Sequence, residues 1–437
     1  METIWLQAGG EMLVIKGGTA EAVWGEVRRQ AVRGERENPR VVLDFAMRGS
    51  AAELQAALNG LTRMAALAER EGGWLMVIPE GTEETWRTRV IAMQVEVLGS
   101  PVGERLTGSL GVRLMVERDP FWEGEEIALP LTNQHGTAVE TGLRLDNHAD
   151  IAHNNFADVG SADVGGGLMS PLLLEVLPEP AVPGVVGELS FGWWQGADVQ
   201  PFNHVLEGEA AVTGLTTSLV SASDASGGYL RTVSWSSAAN TELMSWTLTG
   251  ANLDAGGGRV FRPLLRLGAG WLGDEMWLSL VLTSSQSGLP PLWQSTEVVL
   301  EAGQALVRFP PLNLPPWQPS APPAPMNLAL VGLAPAGGSQ TLSVDFLQLF
   351  PHDNGMRVCP AALMPDGTHV MVDSGNQLAG ALLPTGELRL PMVEGNGLWL
   401  LPGTAHRLYL LQGSGDFPGV GAAVRVKASY RPRVWDV

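Results

Sequence analysis

The side chains best suited to chemistry crowd into one stretch, Asp146-Asn147-His148-Ala149-Asp150-Ile151-Ala152-His153-Asn154-Asn155, with Asp158 and Asp163 following. Two imidazoles among carboxylates offer ligands for a divalent ion, and oxygen-rich Asp/Asn loops suit calcium. Asp146, His148, Asp150 and His153 are the candidate metal ligands. Their spacing matches neither a calcium-binding helix-loop-helix nor a helical histidine pair. Asx side chains are equally at home in turns, where they satisfy backbone groups, so a solvated loop is the competing interpretation.

Glycoside hydrolysis would need paired carboxylates, and Glu188, Asp198, Glu207 and Glu209 are available. Their separation in space, which decides the chemistry, cannot be read from a linear chain. Cys359, followed by Pro360, sits beside an apolar segment and reads as a structural thiol rather than a nucleophile. No Gly-x-Ser-x-Gly elbow occurs, and Gly256-Gly257-Gly258 lacks the lysine and the strand-to-helix setting of a phosphate loop. The expectation is a protein without catalytic residues and without a cofactor.

Tryptophan is the other chemically suggestive residue. Trp193, Trp194, Trp235, Trp246, Trp271, Trp277, Trp293 and Trp317 fall in the middle of the chain, and sugar rings stack on exposed indoles. Trp246 and Trp277, set among apolar neighbours, read as core. Trp194 and Trp271 lie beside glycine and polar residues and are the candidate glycan-stacking platforms. Neighbouring residues on a strand face opposite ways, so one of Trp193 and Trp194 must point away from its own core, toward another domain, a subunit or a ligand.

The elements that must hold these residues differ along the chain. Ser50 and Glu53 form a capping-box pattern, and Leu54, Leu58, Leu61, Ala65 and Ala68 then recur with helical period until Gly72-Gly73. Strand-like segments surround this helix: 41–46, 74–79, 86–98 and an alternating Val112, Leu114, Val116. Residues 22–33 fit a helix through Val23, Val27 and Ala31, or a hairpin with the Asn38-Pro39 turn, the hairpin being preferred. From Ile127 onward helical periodicity disappears and turn signals recur at the spacing of a sandwich or barrel. There are too many candidate strands for one jelly roll of about eight, so two units are expected. The predicted organisation is an N-terminal α+β split-barrel domain with one helix (1–130), a discontinuous β-sandwich (131–184 and 353–437) and an inserted jelly roll (185–352). Pro310 to Pro325 is expected to be an extended surface loop.

Composition narrows the partners. The 437 residues carry a net charge of −19, which disfavours an electrostatic grip on nucleic acid or anionic lipid. With 54 glycines, 30 prolines and no triplet repeat, the chain reads as mostly β. Cys359 is the lone cysteine, so no intrachain disulfide or thiolate cluster can form. Residues 1–10 lack the pattern of a signal peptide, and no window is apolar enough to span a membrane, so synthesis and folding in the cytoplasm without membrane insertion are expected.

The strand-helix-strand domain closes on Arg118-Asp119-Pro120-Phe121-Trp122, and a Leu131-Thr132-Asn133 turn opens a sandwich. Trp399-Leu400-Leu401-Pro402-Gly403, Leu408-Tyr409-Leu410, Val424-Arg425-Val426 and Tyr430-Arg431-Pro432-Arg433 follow toward the C-terminus. In this order and spacing the chain resembles the distal tail proteins of long-tailed bacteriophages. The resemblance covers roughly 1–180 and 355–437. It implies a non-enzymatic virion protein of the tail tip or baseplate, in which the first domain assembles into a ring, expected to be a homohexamer, and a galectin-like sandwich hangs outside. Its implied partners are copies of itself, the tail tube protein and the tail-tip hub protein, and an acidic channel lining would repel passing DNA. The stretch from about 185 to 352, with Gly227-Gly228-Tyr229-Leu230, Trp246-Thr247-Leu248 and Phe261-Arg262, looks like a carbohydrate-binding-module jelly roll. That implies a possible host-surface glycan as partner and, as an alternative function, a carbohydrate-binding tail adhesin.

Overall fold

The computed structural model describes residues 2–16, 27–32, 39–98, 108–133, 136–137, 141–146, 156–179, 187–195, 205–223, 225–236, 238–248, 258–268, 271–273, 275–284, 289–315, 325–334, 339–362, 364–412 and 423–437. The fold is mainly β, with one α-helix among the described residues. The chain divides into two compact units. One comprises Met1–Ile127, Gly165–Met169 and Arg431–Val437; the other comprises Ala128–Val164 and Ser170–Tyr430.

The first unit is an antiparallel sheet with a helix against it. Its strands are β1 (Thr3–Ala8), β2 (Glu11–Lys16), β3 (Val27–Val32), β4 (Arg40–Arg48), β5 (Gly73–Ile78), β6 (Trp86–Leu98), β7 (Ser109–Arg118) and β8 (Trp122–Glu123). The main order is β2-β1-β5-β6-β7-β4-β3. Because β3 pairs antiparallel with β4, the ambiguous segment ends as a strand and not as a helix.

Helix α1 (Ala51–Glu71) starts where the capping box places it. The Glu53 N–H donates to the Ser50 hydroxyl at 3.4 Å, and the Ser50 N–H donates to the Glu53 carboxylate at 2.7 Å. Two of the N–H groups that a helix start leaves open are thereby satisfied. Leu54, Leu61, Met64 and Ala68 are buried against the sheet, the stripe that the helical period demands. At Gly73 a Cβ would come within 2.7 Å of the Ala68 methyl, so only glycine lets the chain turn back this tightly onto the helix.

Gly165–Met169 and Arg431–Val437, expected within the discontinuous sandwich, cluster with the first 127 residues. The physical reason is a strand pairing: Val434 pairs with Trp122 and Arg433 with Glu123. The Arg433 guanidinium donates to the Glu123 carboxylate at 2.6 and 3.1 Å and lies 3.8 Å over the Phe121 ring. Arg118, 2% exposed, donates to the backbone carbonyls of Asp119 and Trp435 at 2.8 and 3.3 Å. The Arg-Asp-Pro-Phe-Trp segment is therefore a clasp for the C-terminus.

The second unit contains two sandwiches. In the first, a seven-stranded sheet (including Phe156–Val159, His406–Gln412, Leu189–Gln195, Gly355–Cys359 and Met392–Gly395) faces an eight-stranded one (including Leu143–Asp146, Ala423–Tyr430, Ser170–Pro178, His369–Asp373 and Leu378–Leu382). In the second, a seven-stranded sheet built around Val260–Leu267 and Gln340–Pro351 faces a five-stranded one built around Thr241–Leu248, Met276–Ser284 and Met326–Leu333.

The boundary expected at 184/185 is corrected. Leu189–Gln195 pairs with Gly355–Cys359 on one side and His406–Gln412 on the other, so it is a strand of the first sandwich, the outer one in chain order, and the insertion begins after it. The proline-rich segment is also partly reassigned. Leu312–Asn313 pairs with Val260–Phe261, and Leu312 and Leu314 are buried, so this run opens inside the inserted core; 316–324 lie outside the described residues.

Candidate functional site

The strand Leu189–Gln195 organises the middle of the second unit. Leu189, Phe191 and Trp193 enter the core of the outer sandwich, whereas Trp194 joins the core of the inserted one. The adjacent strand repeats this division, with Leu408 and Leu410 on one side and Tyr409 and Leu411 on the other. One sheet is thus buried on both faces. Gly192 marks the closest approach: a Cβ there would lie 2.9 Å from the Phe350 ring and from Pro351.

This arrangement corrects the two proposed stacking platforms. Trp194 is 5% exposed, stacked on Phe261 with ring centroids 6.1 Å apart, and Arg259 covers it at 4.7 Å while donating to Asp353. It is the residue that points away from its own sandwich, and what it meets is the neighbouring one. Trp271 is 6% exposed; its backbone bonds Gln304 and Gly303, and its ring lies where any Cβ on Gly273 would have to be. Neither indole offers an open face to a sugar.

The metal candidates do not form a describable site. Asp146 ends a strand, paired with Ala423, while His148, Asp150 and His153 lie outside the described residues. Among the described residues no three His, Cys, Asp or Glu side chains are grouped to hold a metal. Cys359 is half-buried, and burial pushes its thiol up, away from the reactive thiolate.

Of the carboxylates considered for hydrolysis, Asp198 is outside the described residues, and the others divide between two places. Glu207 and Glu209 sit in the inserted sandwich near the fully buried Asp345. Asp345 accepts from the Arg266 guanidinium at 2.8 Å and from the Ser226 N–H at 2.9 Å. Burial pushes its carboxyl up to about 8, against the pull of Arg266. Glu188 is instead held by Arg308, whose Nη1 donates to it at 3.0 Å, with Arg357 at 3.7 Å.

Beside that ion pair the two sandwiches border a small, partly open cavity of about 40 Å³, whose walls are mainly apolar, with Phe191, Leu264, Phe350 and Met356 among them. Its polar lining residues are Arg262, Arg308 and Ser190 with His352, Arg357 and Glu394. Arg357 bonds Glu394 at 2.6 Å. Arg262 alternates with Phe261 on its strand, so Phe261 fills the core and Arg262 faces the cavity. Burial, reinforced by the Arg357 and Arg308 charges, lowers the pKa of Arg262. His352 is likewise shifted down by burial, with Arg262 adding to it. Sequence reasoning singled out Glu188 and missed the arginines. Arg262 and Arg266 in an otherwise apolar strand were the available signal, but the meeting of Arg262 with residues 308 and 357 is a tertiary event.

A last buried ionisable group underlies the same strands. His406, 3% exposed, stacks on Trp193 with centroids 4.9 Å apart, and its Nε2 accepts from the Leu401 N–H at 3.1 Å. Burial lowers its pKa to about 4, so it is neutral at pH 7.

No family model matches the chain, and no curated protein matches it. Among solved structures it is similar to the Dit protein (gp 19.1) of SPP1, described as a paradigm of the hub adsorption apparatus in phages infecting Gram-positive bacteria. The identity is 8% and the TM-score 0.26, over 98% of this chain and 98% of that one. A second is the baseplate of phage P2 in its activated conformation with Ca, at 10% identity and TM-score 0.21, covering 76% and 98%. A third is the N-terminal CBM22 tandem domain of Xyn10C from Paenibacillus barcinonensis, at 9% identity and TM-score 0.23, covering 57% and 98%. All three are remote likenesses.

Proposed function

We propose that this chain is a structural subunit of a phage tail tip, of the distal-tail type, which assembles into a ring of about six copies between the tail tube protein and the host-facing hub. The observation that supports this most directly is the first unit's sheet. Its strand order ends on β2 and β3, each with one strand partner among the described residues. Two different edges of one sheet are the unlike patches that a heterologous ring repeats around its axis. Met12 on β2 is 66% exposed, an apolar side chain on an edge strand whose ends carry the charged Glu11 and Lys16. The role is mechanical and needs no turnover. The adhesin alternative loses its two named stacking platforms to burial, so the structural role is the one put forward.

Light scattering of the full chain after chromatography tests the assembly. The expected species has about six times the 46.4 kDa chain mass, and Met12→Lys reduces it to a folded monomer. A wild-type chain that stays monomeric at all concentrations would overturn the ring.

A further inference from the structure

We infer that the cavity between the two sandwiches is a binding site for a single carboxylate group, with Arg262 as its principal ligand. The charge count comes first. Arg262, Arg308 and Arg357 bring three cations to a site where Glu188 and Glu394 supply two anions. Those two carboxylates are engaged by Arg308 and Arg357, so the surplus positive charge sits on Arg262. His352 adds no compensating negative charge.

Hydrogen bonding points the same way. The Arg262 Nε–H is buried without an acceptor among the described residues, and the Arg357 Nε–H, 3.7 Å from the Glu188 carboxylate, makes no hydrogen bond either. A buried guanidinium N–H without a partner is uncommon, because its desolvation is not repaid. A planar carboxylate matches the fork of a guanidinium and would satisfy it with charge-assisted bonds. The Ser190 hydroxyl, which also lines the cavity, donates to the Glu188 carboxylate at 3.3 Å, so the guanidinium carries the recognition.

A cavity of about 40 Å³ has room for one carboxylate group, and the flat guanidinium fork matches a planar anion. The cavity is open to solvent on one side, so the remainder of a larger acid can stay outside. The ligand is therefore a carboxylic acid, free or as one group of an acidic sugar or acidic peptide. The site does not depend on ring assembly and would be present in a monomer.

Thermal unfolding of the full chain at constant ionic strength tests this, with acetate, galacturonate and N-acetylglutamate amide as probes and acetamide, galactose and sulfate as controls. The three carboxylates should raise the midpoint saturably, and the controls should not. A larger response to galacturonate or to the glutamate derivative identifies an acidic sugar or an acidic peptide as the source, and an equal response to all three identifies a free small acid. Arg262→Gln should abolish the response. Glu394→Gln, a change at a partly exposed side chain, frees Arg357 and should tighten binding several-fold, which keeps the test valid if Arg262→Gln folds poorly. A response equalled by acetamide or sulfate, no response at all, or no tightening in Glu394→Gln would overturn the site.

Discussion

Strand β7 of the first unit buries every second side chain without interruption, whereas the strand Leu189–Gln195 of the second unit has both Trp193 and Trp194 buried. The first belongs to a sheet with one face on a core and the other partly in solvent, where Asp44 and Arg113 pair across strands at 2.8 Å. The second belongs to a sheet clamped between two cores. A sheet with one wet face tolerates substitution on that face, while a sheet with two dry faces has no neutral positions.

The comparison can be broken most severely at Trp194. Trp194→Ala removes an indole from the inserted core and should cost about 3–5 kcal/mol in urea unfolding of the second unit, leaving the first unit's transition in place. Equal loss in both units would show that they unfold as one.

Acid should separate the units next. His406 has its pKa lowered from 6.5 to about 4 by burial. The unfolded chain therefore binds a proton that the folded one refuses, so stability is present above pH 6.5 and is lost as pH falls toward 4. Across that window the loss is about 3 kcal/mol, and it should fall on the second unit alone. His406→Gln should flatten that part of the pH profile.

A smaller effect is expected at the helix. Ser50→Ala deletes the cap and should cost about 1 kcal/mol, seen only in the first unit's transition. Arg113→Ala, on the wet face, should leave the unfolding midpoint unchanged within error, because an exposed cross-strand pair is screened by solvent. A marked shift there would show that this face is covered, as it would be inside a ring.

Much of the first unit was readable in its residues. The Ser50 and Glu53 spacing announced the helix start, and the alternation through Val112, Leu114 and Val116 announced β7, because each pattern is set by neighbours within a few residues. In the second unit the parity of Trp193 and Trp194 was readable, but not the partner. Trp194 looked like a sugar platform because glycine and polar residues follow it in the chain, yet its cover comes from Phe261 and Arg259. Trp271 has polar neighbours in the chain too, yet it is buried, because the loop at Gly303 and Gln304 packs against it. The Asp146 to His153 cluster, the most suggestive in sequence, falls largely outside the described residues.

By itself the sequence determined the mainly β character, the single capped helix, the lack of any intrachain disulfide and the acidic surface, all of which follow from composition or from short-range periodicity. The tertiary structure decided that Leu189–Gln195 belongs to the outer sandwich, that the C-terminal residues return to the first unit, and that Arg262, Arg308 and Arg357 share one cavity. The physical reason is range. A helix period or a strand alternation is enforced by adjacent peptide units, whereas a pairing such as Trp194 with Arg407 or Val434 with Trp122 spans hundreds of residues and is selected only when the cores close.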